Sequence, residues 1–297
     1  MRVWSTTLTL FLWSLSTGIT KAQSVQLMTP QIRQHLNTYY DALETADAQK
    51  ALEALNALIA ADPNYPHYYG ARASVLETLP GVTPDSILAE LDKAIHADTT
   101  LDQWLIKRAN YCLAAGTDRR KFQAVNDLLE LCHRDSTSLA HRMALLPVVR
   151  LSDPQVFANL HQEAIALAYL QITETPNVAD HWYTLASLYA MDKEDMQEED
   201  VLLALGYLEK ALSLDPGKWA YAQLRAELYA DVLHNYIAAI EDYRYVITLA
   251  PSPNAYASLA QVYASSGQKK EAMTIVQEGL ILFPGSYILQ SVKRSIQ

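Results

Sequence analysis

The chain has 297 residues, half of them apolar, and 33 acidic side chains against 23 basic ones give it a formal charge of −10. That composition suffices for a continuous core, while the negative balance excludes nucleic acid and anionic lipid surfaces, which select basic patches. Nine Gly, twelve Pro and no low-complexity stretch leave no internal linker, so one elongated domain is expected behind an N-terminal leader.

The leader is residues 1–22. Arg2 gives a positive start, Val3 to Ile19 is mostly apolar or hydroxylated, and Thr20-Lys21-Ala22 offers a small-residue cleavage point. This is the pattern of a secretory signal peptide cut between Ala22 and Gln23. The Ser and Thr residues in the apolar part argue against an uncleaved anchor. No cysteine follows the run, which excludes a lipoprotein anchor, and nothing downstream is long and apolar enough to span a bilayer. Cleavage would take the net charge to about −12. The expected location is therefore exported, periplasmic or extracellular, with association to an outer membrane as a further option.

From residue 30 onward the pattern is helical, and no segment alternates long enough for a strand. The first hairpin carries Leu36-Asn37 with Tyr40, then Ala51 and Pro63; the second has Arg72-Ala73 after Tyr69, and the third Arg108-Ala109 after Trp104. The fourth has Arg142-Met143, a helix interrupted by Pro147 where a kink is expected, and a long second helix from Pro154 through Tyr169. In the fifth, Trp182-x-x-Leu185-Ala186-x-x-Tyr189 leads to Ala204, Leu208, Ala211 and Pro216, with the acidic run Asp192–Asp200 in the turn between the helices. The sixth reads Arg225-Ala226, Tyr229, Ala239, Tyr243 and Pro251; the seventh Tyr256-x-x-Leu259-Ala260-x-x-Tyr263, Ala272 and Pro284. The last stretch reads as a lone capping helix with Tyr287, Leu289 and Val292 inward and Lys293 and Arg294 outward. Thr29-Pro30, Thr83-Pro84, Asp153-Pro154 and Ser252-Pro253 each set an N-cap acceptor before a first-turn proline.

A large aromatic, a Leu, a small residue and a Tyr, followed by Ala and a closing Pro, resembles the tetratricopeptide repeat. The Leu slot falls at 36, 72, 108, 142, 185, 225 and 259, close to the family period of about 34 residues in four of the six intervals. Arg in that slot departs from the commonest residue and is taken as tolerated, the stem covering apolar surface while the head reaches water. The resemblance implies an all-α fold, a right-handed α-solenoid of about seven hairpins. They lie at about 30–64, 66–100, 102–136, 137–177, 179–217, 219–252 and 253–286, within a repeat region of 23–297 closed by a capping helix at 287–297. A lone hairpin cannot bury its apolar face, so neighbours must stack.

Catalytic signatures are missing. There is no phosphate-cradling Gly-rich loop, no nucleophile elbow, and His161-Gln162-Glu163 lacks the second His of a zinc helix. Cys132, His133 and His141 match no zinc spacing, and the acidic run lacks the Gly and ligand alternation of a calcium loop. Cys112 and Cys132 read as two buried thiols about 10 Å apart along the helix axes, beyond disulfide reach. Neither an enzyme nor a cofactor is expected.

What the resemblance implies is recognition, with proteins or peptides bound along a concave face lined by the first helix of each pair. Carried onto this chain, the groove residues are His67 and Ser74, Gln103 and Asn110, Asp180, Tyr183 and Ser187, Gln223 and Glu227, and Asn254 and Gln261. Their carboxamides can donate and accept at once, which suits an extended peptide backbone. Some members clamp a terminal carboxylate with Lys and Asn; here Asn110 fits one clamp position, but Ile106 stands where the Lys should be. The reading is a non-catalytic exported scaffold. The alternative is a glycan- or small-ligand-binding accessory protein of the outer membrane, using Trp104, Trp219 and Tyr221 as exposed platforms.

Overall fold

A computed structural model describes residues 29–150, 153–192 and 197–296. The expected signal peptide at 1–22 and residues 193–196 of the acidic run lie outside the described residues. Within them the chain is all-α, with fifteen α-helices and no strand. The chain divides into two compact units, one ending at Ser136 and the other beginning at Thr137.

The first unit holds three hairpins. Helix α1 (Pro30–Glu44) packs on α2 (Ala48–Ala61), α3 (Pro66–Leu76) on α4 (Pro84–Ala97), and α5 (Asp102–Ala115) on α6 (Asp118–Arg134). The second unit holds four hairpins and a cap. These are α7 (Leu139–Val149) with α8 (Pro154–Glu174), α9 (Ala179–Tyr189) with α10 (Glu198–Leu214), α11 (Trp219–Glu227) with α12 (Tyr236–Leu249), and α13 (Pro253–Ser265) with α14 (Lys269–Leu282). Helix α15 (Tyr287–Ile296) covers α13 and α14.

Local chemistry sets the helix ends. The side chains of Thr29, Thr83, Asp153 and Ser252 each accept from the backbone N–H three residues on, before a proline that begins the helix. Glu198, Glu199 and Asp200, the end of the acidic run, open α10, where negative charge complements the helix dipole. Helix α7 continues through Pro147, which has no N–H for the Met143 carbonyl, and stops two residues later. In several hairpins a left-handed residue directly precedes the N-cap of the second helix: Ala46 (φ 54°), Gly116 (φ 72°), His234 (φ 50°) and Gly267 (φ 82°). In the sixth hairpin a π-helical turn, Leu228–Val232, comes just before it.

That turn residue registers the copies independently. Arg108 and Leu259 lie eight residues before Gly116 and Gly267. Counting back from Ala46 gives Thr38, so Leu36 does not hold the equivalent place in the first hairpin. Burial agrees, because Asn37 is exposed whereas Tyr39 and Ala42 are buried. The small slot is fully buried at Ala73, Ala109, Ala186, Ala226 and Ala260, which lets the paired helices approach.

The arginine heads are more covered than expected, with 6–26% of each side chain open to water, and each meets an acid on the second helix of the same hairpin. Arg72 Nε donates to Glu90 at 2.7 Å, Arg142 Nε to Glu163 at 2.8 Å, and Arg108 and Arg225 make two-pronged bonds to Asp127 and Asp242 at 2.6–2.9 Å. A second arm of Arg72 reaches Asn56 at 2.8 Å, and one of Arg108 reaches Asp92 at 2.5 Å, both on the second helix of the preceding hairpin. Each of these two guanidiniums thus joins three helices. Burial alone would pull the Arg108 guanidinium down, but the bonds to Asp127 and Asp92 outweigh it and hold the proton more tightly than usual.

In the cap, Leu289 and Val292 are buried as expected, but Tyr287 is exposed. It stands at the first helical position, where a side chain lies off the end of the helix, and its ring carries the Arg294 guanidinium 5.8 Å away. Cys112 and Cys132 are both buried and unbonded to each other.

Candidate functional site

The eleven candidate groove residues all lie on first helices, two each on α3, α5, α11 and α13 and three on α9. In the first unit the structure brings four of them together. His67 and Gln103, at matching places in consecutive hairpins, face each other with Nε2 atoms 3.1 Å apart. Burial lowers the pKa of His67, against an opposing pull from Asp98. The His67 ring shares a hydrogen bond, through Nε2, with the Gln103 amide. Its edge meets Trp104 at 5.4 Å and its face stacks on Tyr65 at 4.9 Å. Ser74 donates to the Gly70 carbonyl at 3.0 Å and bonds Lys107. Asn110 is exposed, with no hydrogen-bond partner among the described residues.

Lys107 was not among the candidates. It comes one residue after Ile106, where the clamp Lys was sought, and its amine reaches Ser74, the Gly70 carbonyl at 3.5 Å and Glu77 at 3.9 Å. Burial lowers its pKa and Glu77 partly restores it. His67, Gln103, Lys107 and Asn110 border a cavity of about 1260 Å³ between α3 and α5, one side of which is the Glu77–Val82 link.

The second unit distributes its candidates differently. Asp180 on α9 accepts from the Tyr221 hydroxyl and lies 3.8 Å from the Lys218 amine. Tyr183 packs its ring on Tyr221 at 5.0 Å, and Ser187 donates back to the Tyr183 carbonyl at 2.8 Å. Gln223 donates to Glu227 at 3.0 Å within α11. These contacts tie up most of the polar atoms. Gln261 and Asn254 are exposed on α13 and have no hydrogen-bond partner among the described residues. Asn254 borders a separate recess of about 560 Å³ with Pro253, Phe283, Tyr287 and Ile288, and so stands apart from the others.

The proposed aromatic platforms fare poorly. Trp104 is 7% exposed and Tyr221 1%, because the neighbouring hairpin covers each; Trp219 alone, at 45%, faces solvent. Gly70 makes room for Trp104, since a Cβ there would overlap the indole. Among the described residues no group of three or more His, Cys, Asp or Glu is placed to hold a metal ion, and no helix is long and apolar enough to cross a membrane.

No family model and no curated protein match the sequence. Solved structures do. A tetratricopeptide repeat protein from Parabacteroides merdae is similar over 90% of this chain and 99% of its own, with TM-score 0.65 and 15% identity. A chain of the APC/C hetero-tetramer Cut9–Hcn1 is similar over 87% of this chain and 48% of its own, at TM-score 0.56 and 16% identity. A thermophilic tetratricopeptide protein of Thermus thermophilus covers 66% of this chain with 98% of its own, at TM-score 0.50 and 18% identity. With the repeated small slot, the turn register and the closing prolines, these likenesses establish that the chain has the tetratricopeptide-repeat fold.

Proposed function

We propose that the chain is a non-catalytic, exported scaffold that binds a protein or peptide along the first-helix face of its hairpins. The observation that carries this reading is the set of exposed carboxamides, Asn110, Asn254 and Gln261, with no hydrogen-bond partner among the described residues. Each offers a donor and an acceptor to an extended backbone from a rigid helix, so the receptor loses little entropy on binding. The fold is compatible with such work, as the similar chain within the Cut9–Hcn1 hetero-tetramer illustrates. Export follows from the leader pattern of residues 1–22, and an exported chain that keeps Cys112 and Cys132 buried shields both thiols from oxidation.

An array of N-acetylated, C-amidated peptides, probed with residues 23–297, tests the binding. Asn110→Ala or Gln261→Ala should weaken an array-selected peptide by about 0.5–1.5 kcal/mol without moving the thermal midpoint. Failure of any peptide to bind would remove the reading. Export is tested separately by N-terminal sequencing of the chain from an envelope fraction, where Gln23 should come first.

A further inference from the structure

The cavity of the first unit is walled, and its fixed charges are already matched. The link from α3 to α4 runs over residues 77–83, whereas three residues join α1 to α2 and two join α5 to α6. Gly81, in a left-handed conformation (φ 78°), turns this longer link. Leu79 and Val82 from it line the cavity with Leu76, Ile106 and Tyr111, and none of these five is buried. Water therefore reaches apolar surface on more than one side of the pocket, surface that an apolar ligand would release.

The charged groups on the same lining point away from an ionic ligand. Lys107 is held by Glu77 and Ser74, and Asp102 is bound by Arg134 at 3.0 Å. A carboxylate entering here would have to displace Glu77 and would gain little beyond what Lys107 already has. The exposed Asn110 carboxamide supplies the neutral hydrogen-bonding group. The volume of about 1260 Å³ also exceeds the roughly 300–1,000 Å³ of a small-molecule site.

From this geometry we infer that the pocket between α3 and α5 binds an uncharged peptide segment, seating one large aliphatic or aromatic side chain against Ile106, Leu79 and Val82 while Asn110 bonds its backbone. The inference rests on the proposed scaffold role and adds the class of partner: a neutral, apolar-anchored segment in place of a terminal carboxylate.

The test uses residues 23–297 and a capped peptide array carrying neutral and acidic sequences, with each selected peptide then measured by calorimetry. Selected peptides should share a Leu, Ile or Phe anchor. Ile106→Glu and Val82→Glu should each weaken them by at least about tenfold, the exposed Ile106→Glu at an unchanged thermal midpoint, because a charge would be buried against the anchor. Lys107→Met, or Lys107→Gln if the first does not fold, should change affinity by less than about threefold. Selection of acidic peptides, or a gain of about tenfold on freeing the C-terminal carboxyl that is lost in Lys107→Met, would overturn the inference. Tight peptides indifferent to both Glu variants would also overturn it while leaving the scaffold role intact. An array with no binder removes both.

Discussion

In the hairpin α13–α14, Leu259 is fully buried in a cluster with Ile275, Val276 and Ala260. In α5–α6 the same place holds Arg108, and Asp127, three residues past the buried Ala124, stands where Ile275 stands three residues past Ala272. Both arrangements fill the space between two helices that approach over a small residue. The Leu version needs only apolar neighbours. The Arg version needs an acid directly across and, in Arg72 and Arg108, a polar side chain from the previous hairpin. The comparison shows that a repeat slot specifies a volume, and that its polarity is specified by the partner it faces on another helix.

Breaking one half of that match gives the largest expected effect. Arg108→Leu leaves Asp127, 4% exposed, without its counter-ion and should cost about 3–5 kcal/mol in urea unfolding. Arg108→Leu with Asp127→Ile copies the Leu259–Ile275 pairing and should recover most of the loss, because apolar replacement of a whole buried pair is often neutral or stabilising. A single substitution that costs less than about 1 kcal/mol would show that the acid is solvated and the match unnecessary.

Two places before the slot, the hairpins differ again. Gly70 precedes Arg72, whereas Ala257 precedes Leu259. An added methyl at Gly70 meets the six-membered ring of Trp104 from the next hairpin. Gly70→Ala should therefore destabilise by about 1–3 kcal/mol, as overpacking does, and should redshift tryptophan emission as the indole is pushed toward water.

The hairpin α9–α10 has Leu185 in the slot and Tyr207, the residue before buried Leu208, across from it. Tyr207 hydroxyl bonds Tyr169 at 2.6 Å, and Tyr169 bonds Tyr189 at 3.1 Å. Burial and then these hydrogen bonds push the phenol pKa values of Tyr207 and Tyr189 up, that of Tyr189 to about 12. A raised pKa means that the native state holds the proton more tightly than the unfolded chain. The resulting stability is intact below about pH 10 and is lost as pH climbs from there toward 12. Unfolding midpoints measured from pH 8 to about 11.5 should fall above 10, and Tyr207→Phe should flatten that fall.

These contrasts also mark what could be read from the chain alone. The α9–α10 and α13–α14 hairpins were legible because their aromatic, Leu, small and Tyr residues all lie within one helix, and the capped Ser252-Pro253 fixes the start of α13 from local chemistry. The acids that answer Arg72, Arg108, Arg142 and Arg225 were not, because they lie 17 to 21 residues downstream and look in sequence like ordinary surface charges. The first hairpin slipped because Leu36 imitates the slot that Thr38 holds. At the candidate site, the pairing of His67 with Gln103 joins places 36 residues apart, a spacing that signals equivalence but not contact. Lys107 lies one position past the place where a clamp Lys is expected, and Trp104 and Tyr221, at helix starts, are covered by an adjoining hairpin that nothing local in the sequence announces.

The smallest expected effect concerns the turn that ends the first helix. Gly267 takes the left-handed conformation without a Cβ to oppose it, whereas in the sixth hairpin His234 is held at φ 50°. A non-glycine residue in that region costs roughly 1–2 kcal/mol, while glycine adds about 0.5–1 kcal/mol of chain entropy to be lost on folding. His234 offsets part of its strain through a 3.2 Å contact between Nδ1 and the Ala230 carbonyl. His234→Gly should thus raise stability by no more than about 1 kcal/mol, visible as a small rise in thermal midpoint. A fall instead would mean that the imidazole bond to Ala230 holds the π-helical turn Leu228–Val232 together, and that this hairpin depends on its histidine as the Arg hairpins depend on their acids.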